Sequence, residues 1–574
     1  MRTKVMNVRI QGMARAALCG TVVFAAAALP LSAQQVLLEV TGDAIGDQLG
    51  WSVDTVGDID GDSHDDVIAG APYADTAGAD AGMVMLISGR TGAVIRRHNG
   101  FSTEEHFGWA VAGVGGDLSG DGIPDYVVGA PGASPSGRNR AGVARAYSGA
   151  NGSILWARAG QVADDHLGYA IDGSPDVNGD NRREVIVGSP GAPLDLTNPG
   201  TARVLSGADG VPLPNLTWTG INPGDRAGHS VAGIGDANRD TVPDFMIGAP
   251  QFDRSGALDS GQARIMSGAD GRELNGMTGD SRATHLGNSV CPAGDIELDG
   301  DFEGFVGAPH ERDRGRAHVM QGNGFAPPTR THWGFVRTIW FGQAVGLAGD
   351  VDQDGYQDMI VGTPLHGAIP GIIGDNIPGM ARILSGRDGY TLFQVEGFEH
   401  MGWFGYSVAG AGDFNNDGFR DYVVGAPMSG NAEGKIHIFS GAKSSLSALN
   451  LAISITNGGT QNMTLDAGAS HAGEVYLLMG TMNGTRPGLN LGTVTLPLNL
   501  DAYLLFTATQ AGLPPITGGV GTLDAAGRAN AAWGVPGGVL PTALLSTTFH
   551  HAFVTISGTT VTSVSNAIPL SLDV

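Results

Sequence analysis

The chain has 574 residues, of which 16% are charged and 6% aromatic, with 93 glycines and a formal net charge of −25. Many glycines and few charges fit short strands joined by tight turns, and exclude a protein built of long helices. An acidic chain without clusters of Lys and Arg also excludes nucleic acid as a partner, because phosphate binding needs such clusters.

The first 33 residues read as an export signal. Arg2, Lys4, Arg9 and Arg15 form a basic start, Ala16 to Leu31 is apolar, and Leu31-Ser32-Ala33 offers a small-residue cleavage site. The apolar run is shorter than the ~20 residues of a spanning helix; the alternative is an uncleaved anchor. No second apolar span follows, so the expected mature chain has no transmembrane anchor and is secreted or held at the cell surface. Cleavage takes the formal charge to −29 and removes Cys19. Cys291 then stands alone, so no intrachain disulfide can form. It reads as a small core residue, and metal becomes the expected staple.

Residues 35 to 41 read as a strand. After it, one unit recurs seven times. Its first landmark is a glycine, at Gly50, Gly108, Gly168, Gly228, Gly287, Gly342 and Gly405, with spacings of 58, 60, 60, 59, 55 and 63. A repeat of this period points to a propeller or a solenoid. A first strand follows the glycine, then an acidic loop, then a second strand ending in Gly-x-Pro, as in Asp125-Tyr126-Val127-Val128-Gly129-Ala130-Pro131. A variable loop leads to a third strand of the type Ala381-Arg382-Ile383-Leu384-Ser385-Gly386, and a short glycine turn leads to a fourth. The seventh unit lacks a clear fourth strand. The lone strand at 35 to 41 would supply it, which predicts a closed seven-bladed β-propeller over residues 35–443 rather than an open solenoid. The variable loops, such as Tyr73 to Ala81, Gly132 to Ala141, Gln251 to Ser260 and Leu365 to Pro378, are candidate binding loops or plain solvated connections.

Residues 449–574 change texture. Thr493 to Leu498, Ala502 to Ala508, Ala552 to Ser557 and Val561 to Val564 read as short strands of a small β-sandwich. His550-His551 reads as a strand-edge pair without a third metal partner. The whole chain is therefore expected to be all-β.

The chemistry lies in the acidic loops. Oxygen side chains stand at positions 1, 3, 5 and 9. The sets are Asp58, Asp60, Asp62 and Asp66; Asp117, Ser119, Asp121 and Asp125; Asp176, Asn178, Asp180 and Glu184; and Asp236, Asn238, Asp240 and Asp244. They continue with Asp295, Glu297, Asp299 and Glu303; Asp350, Asp352, Asp354 and Asp358; and Asp413, Asn415, Asp417 and Asp421. These positions hold 24 of the 57 acidic residues, which repel one another unless a cation neutralises them. Hard oxygen donors without Cys or His select calcium or magnesium. Calcium tolerates an irregular shell, so up to seven Ca²⁺ ions are expected, with the position-7 carbonyl as a further donor. An EF-hand begins in the same way, but ends in a Glu at position 12 between helices; here a β-run follows position 9 directly.

These residues resemble FG-GAP repeats, the units of the integrin α-subunit N-terminal propeller. Phe107-Gly108, Phe341-Gly342 and Phe404-Gly405 carry the FG, with Leu or Ala for Phe elsewhere. Gly70-Ala71-Pro72, Gly129-Ala130-Pro131, Gly248-Ala249-Pro250, Gly307-Ala308-Pro309 and Gly425-Ala426-Pro427 carry the GAP. The resemblance runs from about Val36 to Gly441. It implies a seven-bladed propeller with calcium on one face and ligands on the opposite face and rim. Integrin leg domains, the transmembrane helix and the Asp-x-Ser-x-Ser of the inserted domain have no counterpart here. By the same resemblance Trp51, Trp109, Tyr169, His229, Asn288, Gln343 and Tyr406, one after each FG glycine, begin the inner strands. They would either ring the channel mouth as a protein- or glycan-binding platform or pack between blades.

The expected function is an exported, calcium-binding, non-catalytic binding or adhesion protein with an extracellular protein or glycan ligand. The alternatives are a propeller enzyme acting on glycans, as lyase or hydrolase, and a cell-surface structural protein. FG-GAP repeats also accompany a phospholipase D, whose separate zinc-type catalytic domain has no counterpart here. His310 to Arg314 and Trp333 to Trp340 are the stretches that break the repeat symmetry.

Overall fold

Each repeat becomes an antiparallel sheet in the computed structural model of the chain. The structure describes residues 36–573 except 193–196, 323, 325–326, 335–339, 366–377, 442–445, 449–451, 484–487, 492–494, 512, 542–543, 545–546, 559 and 566. The expected signal segment, most of the Leu365–Pro378 loop, part of Trp333–Trp340 and part of the strand at Thr493 lie outside the described residues. The chain divides into two compact units, one of residues 36–389 and 395–441, the other of residues 442–574 with Tyr390–Gln394.

In the repeat unit the first strands are Ser52–Gly57, Val111–Gly113, Ala170–Ser174, Ser230–Gly235, Ser289–Gly294, Ala344–Gly349 and Ser407–Gly412. Each pairs with the second strand after its acidic loop, and the second pairs with the third. Among the described residues this pattern occurs seven times. The first strands neighbour one another in order, and Ser407–Gly412 lies beside Ser52–Gly57, which closes the ring of a β-propeller. Val36–Thr41 pairs antiparallel with Lys435–Phe439, so the N-terminal strand completes the last sheet as its sequence position predicts.

The second strands are buried at every position. Both their faces are covered, which explains their unbroken apolar runs. The cores lie between sheets. One cluster joins Val67, Ala69 and Met85 of the first unit to Val423, Ile436 and Ile438 of the seventh. The two signature glycines meet at the same seams. A Cβ on Gly70 would overlap the carbonyl oxygen of Gly108, and one on Gly425 would overlap that of Gly50 across the closure. The GAP glycine is therefore required by close approach to the next unit's FG glycine.

The C-terminal unit is mostly antiparallel strand. Gly458–Asp466 pairs with Arg528–Pro536, and Val475–Thr481 pairs with Thr548–Ser557. Two expectations fail here. Ala502–Thr509 is a helix, not a strand, with Asp501 as its N-cap: Asp501 Oδ1 accepts the Leu504 N–H at 2.7 Å. Its buried residues, Leu504 and Thr507, are three apart, a helical spacing. His550 and His551 are not at a strand edge, because their strand has partners on both sides. His551 is fully buried, and its Nε2 lies 3.0 Å from the Tyr503 hydroxyl, which accepts the Trp533 indole N–H at 2.8 Å.

Candidate metal centre

Every acidic loop adopts one hydrogen-bonding plan. The position-1 carboxylate turns back to accept N–H groups four to five residues on. Asp58 takes Asp62 at 3.0 Å and Ser63 at 2.8 Å, and Asp350 takes Asp354 and Gly355, both at 3.0 Å. The position-5 carboxylate accepts the N–H two residues on in all seven loops, from Asp62–His64 at 3.0 Å to Asp417–Phe419 at 2.9 Å. These Asx-type turns hold the loop's side chains in fixed directions.

The position-9 acid is the buried end of each loop. Asp66, Asp125, Glu184, Asp244, Glu303, Asp358 and Asp421 are at most 1% exposed. One oxygen accepts a loop N–H, as from Ile59 to Asp66 at 3.0 Å. In five loops the other accepts the glycine N–H of the Ser-Gly that ends the third strand: Gly89, Gly149, Gly268, Gly386 and Gly441, at 2.8–3.0 Å. The Ser-Gly pair is thus part of the site. The sequence shows it as a recurrent block, without showing what it touches.

Burial, with the charges of neighbouring loop acids, pushes Asp66, Glu184, Asp244 and Asp421 up to about 7 and Glu303 to about 8. The same causes raise Asp352 to about 7, and its buried Oδ1 has no partner. Those are the strains a divalent cation would relieve, so the donors fit one.

Acidic donor atoms come within 4.8 Å of one another in four loops. The groups are Asp58, Asp60 and Asp62; Asp117, Asp121 and Asp125; Asp176, Asp180 and Glu184; and Asp350, Asp352 and Asp358. In the fourth, fifth and seventh loops no three acids meet so closely among the described residues. In the fifth, Arg239 from the fourth loop pairs with Asp299 at 3.3 Å. In the seventh, the Asn415 amide donates to Asp417 at 2.9 Å.

The acidic loops leave the C-terminal ends of the first strands, while the residues after the FG glycines precede their N-terminal ends. Trp51, Trp109, Tyr169, His229, Asn288, Gln343 and Tyr406 line one opening of about 380 Å³. Trp51 lies 4.7 Å from Trp109 and 4.8 Å from Tyr406, ring centre to ring centre, and Trp109 lies 5.4 Å from Tyr169. The tilts of 47–50° make a bowl of aromatic rings rather than a flat stack. Below them, Ser52, Ser230 and Ser407 donate to the FG-glycine carbonyls of the next units at 2.8–2.9 Å.

The family model for the FG-GAP repeat matches residues 49–86, 341–381 and 404–439. The chain is 31% identical over 221 residues to integrin alpha-5 of Xenopus laevis, covering 35% of this chain and 20% of that protein. It is 29% identical to human integrin alpha-IIb over 215 residues, with the same coverage. It is 24% identical over 396 residues to human phosphatidylinositol-glycan-specific phospholipase D, covering 59% of this chain and 46% of that one. The chain thus spans about a fifth of the integrins' length. Among the described residues no helix is long and apolar enough to cross a membrane. The repeated sheets and their glycine seams thus carry FG-GAP repeats at the matched residues, and about a third of the chain is similar to integrin alpha subunits.

Proposed function

We propose that the chain is an exported, calcium-stabilised, non-catalytic binding or adhesion protein, secreted or held at the cell surface. Its propeller spans residues 35–443 and its C-terminal β domain residues 449–574. The observation that carries this reading is the separation of two chemistries along the first strands. Carboxylate loops occupy one end, and an aromatic opening occupies the other. The residues at loop positions 1, 3, 5 and 9 would hold Ca²⁺, which supplies the positive charge that lets their carboxylates stay ionised in a buried setting. The aromatic end is then free to take an extracellular protein or glycan, since aromatic rings concentrate binding energy.

The test is a binding screen of the full chain against extracellular glycan and protein arrays, in calcium and in chelator. Stable capture that is lost in chelator and in Trp109→Ala supports the reading. Similarity to a phospholipase D favours a second reading, an enzyme. Release of a chemical product without stable capture would favour it and contradict the first.

A further inference from the structure

The chain carries a formal charge of −25, yet none of the described residues that line the aromatic opening is Asp, Glu, Lys or Arg. His229, which brings a basic ring to the lining, is neutral near pH 7, because burial and the charge of Arg226 lower it to about 3. A guanidinium or ammonium seated here would meet ring faces but no carboxylate, and an anion would meet no cation. The lining suits a neutral ligand.

The opening also has two unlike walls. Tyr406, Trp51, Trp109 and Tyr169, from the seventh, first, second and third units, form a continuous aromatic wall. His229, Asn288 and Gln343, from the fourth, fifth and sixth units, form a polar one. Polar groups on both walls are unspent. The Trp51 and Trp109 indole N–H groups, the Tyr169 and Tyr406 hydroxyls and the Gln343 amide make no hydrogen bond among the described residues, and none of them is closed off from solvent. The indoles of Trp156, Trp218 and Trp533, inside the fold, each donate at 2.7–2.8 Å. The hydroxyls of Ser52, Ser230 and Ser407 are already committed to glycine carbonyls.

The matching ligand has a flat C–H face for the rings and, around its edge, groups that both donate and accept. A pyranose with equatorial hydroxyls has that form, since an axial hydroxyl would spoil one face. Residues of all seven units surround the opening, so a glycan enters along the axis by its end; the middle of a chain would need a cleft open on two sides. The volume of about 380 Å³ is at the low end of the ~300–1,000 Å³ of small-ligand sites, room for about one or two sugar rings.

We propose that the opening binds the terminal unit of a neutral glycan of glucose-type sugars. This rests on the reading of the opening as the binding face. The sugar's C–H face stacks on Trp51 and Trp109, and its hydroxyls bond the Gln343 amide and the free tips of Tyr169 and Tyr406.

The test is fluorescence titration of the full chain in calcium with cellobiose, cellohexaose, the acidic disaccharide cellobiouronate and a Gly-Arg-Gly peptide, with saturation-transfer NMR on cellohexaose. Cellobiose and cellohexaose should bind within about threefold of each other, because only an end enters. Saturation should fall on the C–H protons of one terminal unit. Trp109→Ala should weaken cellobiose at least tenfold, Trp109→Phe less, and Gln343→Leu about three- to tenfold with an unchanged thermal midpoint. No binding of cellobiose, or cellobiouronate bound as tightly, overturns the proposal. Saturation spread along internal units overturns entry by the end. Preference for the arginine peptide, lost in Trp109→Ala, overturns the sugar assignment and leaves the opening as the binding face. Cellobiose affinity unchanged in both Trp109→Ala and Gln343→Leu overturns the opening itself.

Discussion

Asp60→Asn separates a metal ligand from a structural acid. Asp60 is exposed, and its carboxylate groups with Asp58 and Asp62 within 4.8 Å. Burial, then the charges of Asp62 and Asp58, raise its pKa. Without a cation, the amide removes a repulsive charge at an exposed site, so stability should change by no more than about 0.5 kcal/mol, in the favourable direction. With calcium the sign reverses. A loop of Kd ~10 μM in ~2 mM calcium gains about 3 kcal/mol from occupancy. Losing one charged donor and about a hundredfold in affinity leaves about 0.7 kcal/mol of that gain. Asp60→Asn should therefore cost about 2.5 kcal/mol in calcium and nothing in chelator. Urea unfolding followed by tryptophan fluorescence, in both buffers, measures the two values. An equal effect in both buffers would refute the reasoning, because Asp60 would then act through the fold alone.

Three further outcomes are expected. Glu105 is 1% exposed, pairs with buried Arg145, and accepts the Ser102 N–H at 2.9 Å, so Glu105→Ala should cost about 3–5 kcal/mol. Adding Arg145→Met should restore much of that loss, as a urea double-mutant cycle will show. Gly425→Ala places a methyl against the Gly50 carbonyl at the ring closure and should cost about 3 kcal/mol or more by the same assay. In chelator, stability should fall as pH rises from about 5 to 8. The folded carboxylates of Asp66, Asp244, Asp421 and Glu184 titrate near 7 and that of Glu303 near 8, so the folded state binds more protons than the unfolded one across this window. Calcium should flatten that profile in pH-scanned thermal melts.

The parts that were legible in the sequence are those the repeat states seven times. The loop oxygens, the FG and GAP glycines and the strand that closes the ring each show by comparison of copies. The partners of those residues are less visible. Gly89 lies 23 residues from Asp66, and only the sheet brings its N–H to the carboxylate. Arg226 reads in sequence as one loop arginine; its burial over Tyr169 follows from the packing of neighbouring units. Outside the repeats no copy is available for comparison. Ala502–Thr509 has a helical cap at Asp501, but its crowded apolar residues hide the period. The central place of His551 depends on strands at 475–481 and 568–573, far from it in the chain.

The most direct test of the account is a thermal melt of the full chain with excess calcium, with chelator, and with chelator followed by calcium or magnesium. The account predicts a large fall in midpoint on chelation that calcium restores and magnesium does not. A midpoint that ignores chelation would contradict it, and would leave the seven loops as acidic turns held by their own backbone N–H groups.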